Sequence, residues 1–303
     1  MFGALIARTL PLVPKSIVGR VARRYIAGEA LPEAVATVRA LNDRGFAGTV
    51  DVLGEEVHDT ESAAAHTRDY CELVAALKGA GVRAGVSLKL TQFGLRIDRD
   101  LCMENLRQVL DAAHAHGRFV RIDMEDSSLT TVTLDAYRQM REERGGERLG
   151  VVLQSYLYRT EADVEAFLAD PPPADIRLCK GIYREPPDRA FTCRELITQN
   201  FIRLAKRLLG GGARLGIATH DKEIIEALAA WVRSAGIPTS QYEFQALLGV
   251  PIEGILDGLV KDGHRVRVYV PYGSQWYAYS TRRLKENPEV ASHVFKAMFR
   301  RLD

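Results

Sequence analysis

Residues 47–90 carry the stretch that decides the fold: AGTVDVLG (47–54), then ESAAAHTRDYCELVAALKGAG (61–81), then GVRAGVSLKL (81–90). A short apolar run is followed by a polar turn, a helical pattern and a second apolar run. That is a strand–helix–strand unit, and such alternation implies parallel strands joined by crossover helices. The same pattern recurs through GRFVRIDMED (117–126), GVVLQSYLY (150–158), DIRLCKGIY (175–183), ARLGIATHD (213–221), QYEFQALLG (241–249) and HRVRVYVPYG (264–273), making eight strand candidates in all. DKEIIEALAAWVRSAG (221–236) is a clear intervening helix. Eight units predict an α/β chain closed into a (βα)8 barrel. An open, doubly wound sheet is the alternative, but no GxGxxG follows the first strand to support a dinucleotide-binding version of it. Residues 1–40 read as an added N-terminal helical segment packed on a barrel of residues 41–303.

Composition narrows the class. The formal net charge over 303 residues is +2, without the concentrated basic face that nucleic-acid binding needs. Cys71, Cys102, Cys179 and Cys193 are isolated, so neither a zinc site nor a disulfide framework is expected, and a reducing cytoplasm is the expected setting. No apolar run is long enough to span a bilayer. The first 28 residues, MFGALIARTLPLVPKSIVGRVARRYIAG, are arginine-rich and amphipathic, as a membrane-surface or targeting element would be. Pro11 and Pro14 interrupt them, which favours helices packed on the domain.

Strand side chains alternate between two faces, one of which fills a barrel's interior. Setting the apolar residues outward leaves Ser87 and Lys89 inward on strand two, and Arg121, Asp123 and Glu125 inward on strand three. The same reading turns Gln154, Arg177, Gln245 and Tyr269 inward, with His220 just after strand six. All are expected toward the C-terminal ends of their strands, where barrel enzymes place their sites. A single inward Gln or His is more often a satisfied core residue than a ligand contact. A lysine is rarely buried without a partner, so Lys89 is harder to explain that way. Near the chain's end, YSTRRLKENP (279–288) sets Tyr279, Arg282, Arg283 and Glu286 on one helical stripe. A solvated helix end would look similar. However, Lys89, Arg177, Arg282 and Arg283 against Asp123 and Glu286 leave an excess of positive charge. Arginine forks grip oxyanions in a bidentate way, so the expected ligand is a small carboxylate, a phosphate, or both.

With these residues in place, the chain resembles the proline dehydrogenase family. DVLGE, SLKL, RIDMED, RLCKGIYREP, ATHD, EFQALLG, RVYVPYG and YSTRRLKEN occur in that order along nearly the whole length. The resemblance implies a distorted TIM-like barrel with a final helix carrying the paired arginines over the pocket. It implies non-covalent FAD, oxidation of L-proline to pyrroline-5-carboxylate as the first step of proline catabolism, and a quinone as electron acceptor. The length is similar to that of short monofunctional bacterial members. Longer members also carry an aldehyde dehydrogenase, so a pyrroline-5-carboxylate dehydrogenase is an implied partner. The implied location is the cytoplasm, with peripheral contact at the inner face of the membrane.

Carried over by position, Asp123 and Arg177 match the catalytic pair, with Arg177 also contacting the flavin. Lys89, Arg282 and Arg283 would hold the proline carboxylate, with Glu286 beside them. Leu247, Tyr269 and Tyr279 would wall the ring. Met124, Gln154, Lys180, Gly181, Ile182, Thr219 and His220 match FAD contacts, and Glu55 matches an acid that pairs with Arg282 to gate the pocket. No metal is implied. Two positions depart from the family pattern: Ile182 replaces a common alanine, and Asp221 replaces a common asparagine. Tyr269 bears on substrate choice, because members acting on hydroxyproline carry a smaller residue there. Outside the resemblance, a flavin-free barrel lyase using Lys89 as a Schiff-base amine, and a non-catalytic amino-acid or phosphate binder, share the same residue inventory.

Overall fold

The structure is a computed structural model and describes residues 23–54, 57–277 and 279–280. Eight strands run β1 (Ala47–Val52), β2 (Ala84–Leu88), β3 (Val120–Ile122), β4 (Leu149–Gln154), β5 (Asp175–Cys179), β6 (Arg214–Ala218), β7 (Tyr242–Leu247) and β8 (Val266–Tyr272). Each pairs in parallel with the next, and β1 closes on β8 through Thr49↔Tyr269 and Val50↔Val270. The predicted (βα)8 barrel is therefore the observed one.

The helices among the described residues are α1 (Leu31–Asp43), α2 (Thr60–Gly79), α3 (Arg99–Ala115), α4 (Thr130–Arg144), α5 (Thr160–Leu168), α6 (Arg194–Gly210), α7 (Lys222–Ser234) and α8 (Glu253–Lys261). Local chemistry sets their starts. The Asp59 carboxylate accepts from the Ser62 amide at 2.7 Å and Asp98 accepts from Leu101 at 2.8 Å, which satisfies amides at the heads of α2 and α3. On α2, Tyr70, Leu73, Val74 and Leu77 fall at i, i+3, i+4 and i+7 and are all buried. They pack in one core with the outward side chains of the strands, among them Val50, Val86, Leu88, Ile122, Val151 and Leu178. Burying each such side chain contributes about 1.5–3 kcal/mol. α1 packs on β1 and β8.

Barrel interiors are usually filled by branched apolar residues. This one is filled by Thr49, Asp51, Ser87, Arg121, Asp123, Arg177, Gln245 and their neighbours, most of them buried. Two glycines make room for them. A Cβ on Gly150 would lie 2.3 Å from Arg121 Nη1, and one on Gly216 would lie 2.5 Å from Gln245 Nε2.

Candidate active site

Five of the expected residues meet at the mouth of the barrel. Asp123, just past β3, is their hub. Its Oδ1 accepts from Arg177 Nη1 at 2.7 Å and from Ser87 Oγ at 2.7 Å, and its Oδ2 accepts from the Tyr269 hydroxyl at 2.9 Å. Lys89 Nζ lies 3.8 Å from Oδ2. The Arg177 guanidinium also stacks beneath the Tyr269 ring, 5.4 Å from its centroid. Burial alone would raise the Asp123 pKa, but Arg177, Lys89, Ser87 and Tyr269 outweigh it and hold the carboxyl below its ordinary range. Burial and the Asp123 charge push the Tyr269 phenol well up, so it remains a donor.

Arg177 and Tyr269 are not at their strand ends as expected. Arg177 is the third residue of β5 and Tyr269 the fourth of β8. Their length carries their polar ends up to Asp123. Arg121 and Glu125 do not join the cluster. Arg121 points toward the start of β5, where it donates to the Asp175 carbonyl at 2.7 Å. β3 ends at Ile122, and Glu125 turns to accept from Thr91 Oγ1 at 2.6 Å.

Sequence reasoning missed Asp51. It sits on β1, is 1% exposed, and holds Lys89 Nζ at 3.1 Å. Burial would lower the Lys89 pKa, yet Asp51 and Asp123 raise it above the ordinary lysine range, with a further contribution from nearby Tyr183. Asp51 bears on two expectations. Among the described residues Lys89 and Arg177 face Asp51 and Asp123 in even balance, while the Arg282, Arg283 and Glu286 part of the expected charge excess lies outside them. Among the described residues the Lys89 amine faces the carboxylates of Asp51 and Asp123, which favour its protonated form, whereas the Schiff-base alternative needs a neutral amine. The signal for Asp51 was available, since it alternates inward with Thr49 in AGTVDVLG. Tyr183, within the quoted GIY, was also missed; it lies beyond the end of β5, where strand alternation gives no signal.

The remaining expected residues ring this cluster. Gln154 ends β4; its Nε2 donates to the Glu125 carbonyl at 3.2 Å, while its buried Oε1 has no partner among the described residues. Met124 and Thr219 are buried. His220 Nε2 accepts from the Leu247 amide at 2.9 Å, which places the neutral ring's proton on Nδ1 and ties the end of β6 to half-buried Leu247. Gly181 turns the chain with φ +107° over the Tyr156 ring, and Ile182 beyond it is 42% exposed. Lys180 reaches away from Asp123 to pair with Asp221, and lies 3.3 Å from Thr198 Oγ1. Asp221 also caps α7 through the Glu223 amide at 3.1 Å. The departure from asparagine therefore adds a charge that neutralises Lys180. Tyr279 is buried with Ile26 and Leu53. Glu55, Arg282, Arg283 and Glu286 lie outside the described residues.

A separate cavity of about 580 Å³ lies beside α2, lined by Val52, Leu53, His66, Asp69, Glu72 and Tyr272 among others, and holds none of the Asp123 cluster. No described helix is long and apolar enough to cross a membrane.

Comparison with known proteins gives a consistent result. The family model described as proline dehydrogenase matches residues 34–296. The chain is 38% identical over 282 residues to proline dehydrogenase of Deinococcus radiodurans, covering 92% of this chain and 90% of that protein. It is 37% identical over 277 residues to proline dehydrogenase 2 of Bacillus subtilis strain 168, covering 91% and 90%. Among solved structures, proline utilization A from Bdellovibrio bacteriovorus, inactivated by N-propargylglycine, superposes with a TM-score of 0.81 at 27% identity over 88% of this chain. Proline utilization A from Corynebacterium freiburgense superposes at 0.77 over 97% of it, at 21% identity, which speaks to the fold alone. The chain spans 32% and 34% of those two longer proteins.

Proposed function

Because this chain belongs to the proline dehydrogenase family, we propose that it oxidises L-proline to pyrroline-5-carboxylate with bound FAD and passes the electrons to a quinone. The observation that carries this reading is the Asp123 cluster. It combines a fixed guanidinium, a fixed ammonium and a phenol at one end of a barrel, with the acid between them held ionised.

The donor set fits a flavin. An isoalloxazine ring offers one N–H donor and several acceptors. Gln154 Oε1 is a buried acceptor without a partner among the described residues. Arg177 uses Nε and Nη1 within the protein, and Nη2 has no hydrogen-bond partner among the described residues. Exposed Ile182 offers apolar surface. Gln154, Arg177, Met124, Lys180, Gly181, Ile182, Thr219 and His220 would hold the cofactor. When bound, FAD supplies the hydride acceptor for the proline ring carbon next to nitrogen.

The protein's own task is to bind and orient. Lys89, with Arg282 and Arg283, holds the substrate carboxylate. Tyr269, Leu247 and Tyr279 confine the ring. Arg177 stabilises negative charge that develops beside it. Asp123 anchors Arg177 and Tyr269. Its lowered pKa makes it a poor proton acceptor at neutral pH, so it is not assigned as a general base. Glu286 steadies the arginine pair, and Glu55 gates entry through Arg282. The same proposal includes the N-terminal segment (1–40) packed on the catalytic barrel (41–303), a cytoplasmic location with peripheral contact at the membrane's inner face, and a pyrroline-5-carboxylate dehydrogenase as the partner that consumes the product.

The test is anaerobic mixing of the purified protein with a panel of cyclic amino acids. Yellow protein bleached by L-proline supports the reading. Colourless protein, or a flavin that proline leaves oxidised, refutes it.

A further inference from the structure

The Asp123 cluster continues downward through the barrel along one line of side chains. Arg177 Nε donates to Gln245 Oε1 at 2.6 Å, and Gln245 Nε2 donates to Glu243 Oε1 at 2.7 Å. Glu243 is paired with Arg267, whose Nη2 lies 3.1 Å from Oε2, and Arg267 Nη1 donates to the Gly48 carbonyl at 2.7 Å.

The order of groups sets the direction. Burial opposes ionisation of Glu243, but Arg267 and the Gln245 amide outweigh it and hold the carboxyl down to about 2. An ionised carboxylate only accepts hydrogen bonds. It therefore draws the Gln245 amide nitrogen and leaves the amide oxygen facing Arg177. That oxygen takes the Nε proton and fixes the plane of the guanidinium. Nη1 is then committed to Asp123 and Ser87, and Nη2 is left as the donor with no described partner. Gly216 belongs to the same device, because a Cβ there would lie 2.5 Å from Gln245 Nε2.

We propose that Gln245 is a positioning residue for the reaction, oriented from below by the Glu243–Arg267 pair, and that it holds Arg177 in the pose needed at the barrel mouth. This rests on the proposed flavin chemistry only through the role given to Arg177. Gln245 itself acts through Arg177.

The test compares Gln245→Met, Arg177→Met, the double variant and Gly216→Ala as purified holoproteins. Two quantities are read: steady-state kinetics with proline, and the reduction potential of the bound flavin by dye-coupled reduction without proline. Gln245→Met should lose about tenfold in kcat, keep its proline KM within about threefold, and shift the potential negative. A tenfold loss corresponds to about 1.4 kcal/mol of barrier. The double variant should be no worse than Arg177→Met alone, because both changes remove one interaction. Gly216→Ala, which keeps the glutamine but displaces its amide, should move the same quantities in the same direction and covers the case in which Gln245→Met does not fold. A Gln245→Met or Gly216→Ala protein with the wild-type potential and kcat overturns the proposal, as does a double variant whose losses multiply. If the wild-type flavin bleaches with proline while these variants behave as wild type, only this proposal falls. If wild type itself does not bleach, the functional reading falls first.

Discussion

Removing Lys89 should cost more stability than removing its partner Asp51, and removing both should restore most of the loss. Lys89 Nζ stands 3.1 Å from Asp51 and 3.8 Å from Asp123, and its side chain is 23% exposed. Asp51 is essentially buried, and its only other described donor is the Tyr70 hydroxyl at 3.1 Å. That hydroxyl has one proton, which it also directs to the Ser87 carbonyl at 2.8 Å. Lys89→Met therefore strands a buried carboxylate with at most a shared hydrogen bond, a situation that costs about 3–5 kcal/mol. Asp51→Asn leaves Lys89 with Asp123, so the loss is that of one charged hydrogen bond, about 1.5–3 kcal/mol. The double variant has neither charge and should fall within about 1 kcal/mol of wild type, because a buried pair replaced as a unit is close to neutral.

The assay is urea unfolding at pH 7, followed by circular dichroism, with FAD at one fixed concentration because cofactor binding shifts apparent stability by mass action. A coupling energy of at least about 2 kcal/mol between the two sites is expected. Strict additivity, or an Asp51→Asn protein less stable than Lys89→Met, would refute the reasoning. The wild-type pair carries its own pH signature. The Lys89 pKa is raised in the fold, so its contribution is full below the unfolded value of about 10.4 and is lost as pH rises through the higher folded value.

Three further outcomes are expected. Arg282→Met or Arg283→Met should raise the proline KM by one to two powers of ten, about 1.5–3 kcal/mol for each lost charge-assisted contact, with FAD retained; an unchanged KM in both would remove them from carboxylate binding. Tyr269→Ser should narrow the preference for L-proline over 4-hydroxyproline, read as kcat/KM on both substrates, since on the proposed reading a ring hydroxyl would meet the tyrosine's bulk in wild type; an unchanged ratio would deny Tyr269 that role. Glu243 has a folded pKa of about 2, against an unfolded value near 4.3, so it contributes stability above about pH 4.3 that is lost as pH falls toward 2. Glu243→Gln should accordingly be less stable at pH 7 and lose less on acidification than wild type, and an acid limb identical to wild type would contradict this.

The barrel was legible because its signal is repetitive. Eight apolar runs with intervening helical patterns leave few other ways to bury those faces, and helix starts such as Asp59 and Asp98 carry their own chemistry. The site was legible in part, and the alternation rule explains both its successes and its failures. It found Asp123, Arg177, Gln245 and Tyr269 because they lie on or next to regular strands. It erred at Glu125, because β3 is only three residues long and the period-two reading was carried past its end. It also gave every inward residue the same height, whereas Arg121 faces Asp175 at the bottom of the barrel and Arg177 faces Asp123 near the top. Height depends on strand stagger and side-chain length, neither of which a single strand's pattern reveals.

The omission of Asp51 has a different cause, and it changes the chemistry. Balancing charge from sequence requires knowing which ions share a cavity, and Asp51 is 38 residues from the lysine it holds. Once it is included, the described interior runs in alternating sign, from Arg267 through Glu243, across neutral Gln245 to Arg177, then Asp123, Lys89 and Asp51. A barrel filled with branched apolar residues would be the cheaper core, since each buried ion carries a desolvation cost of several kcal/mol that only good pairing offsets. The arrangement makes physical sense if each ion fixes the next. Arg177 and Lys89 are then held before any substrate arrives, and substrate binding need not spend energy on ordering them. Apolar packing could support the same helices around the barrel, but it could not hold a guanidinium in one plane beside an acid kept ionised.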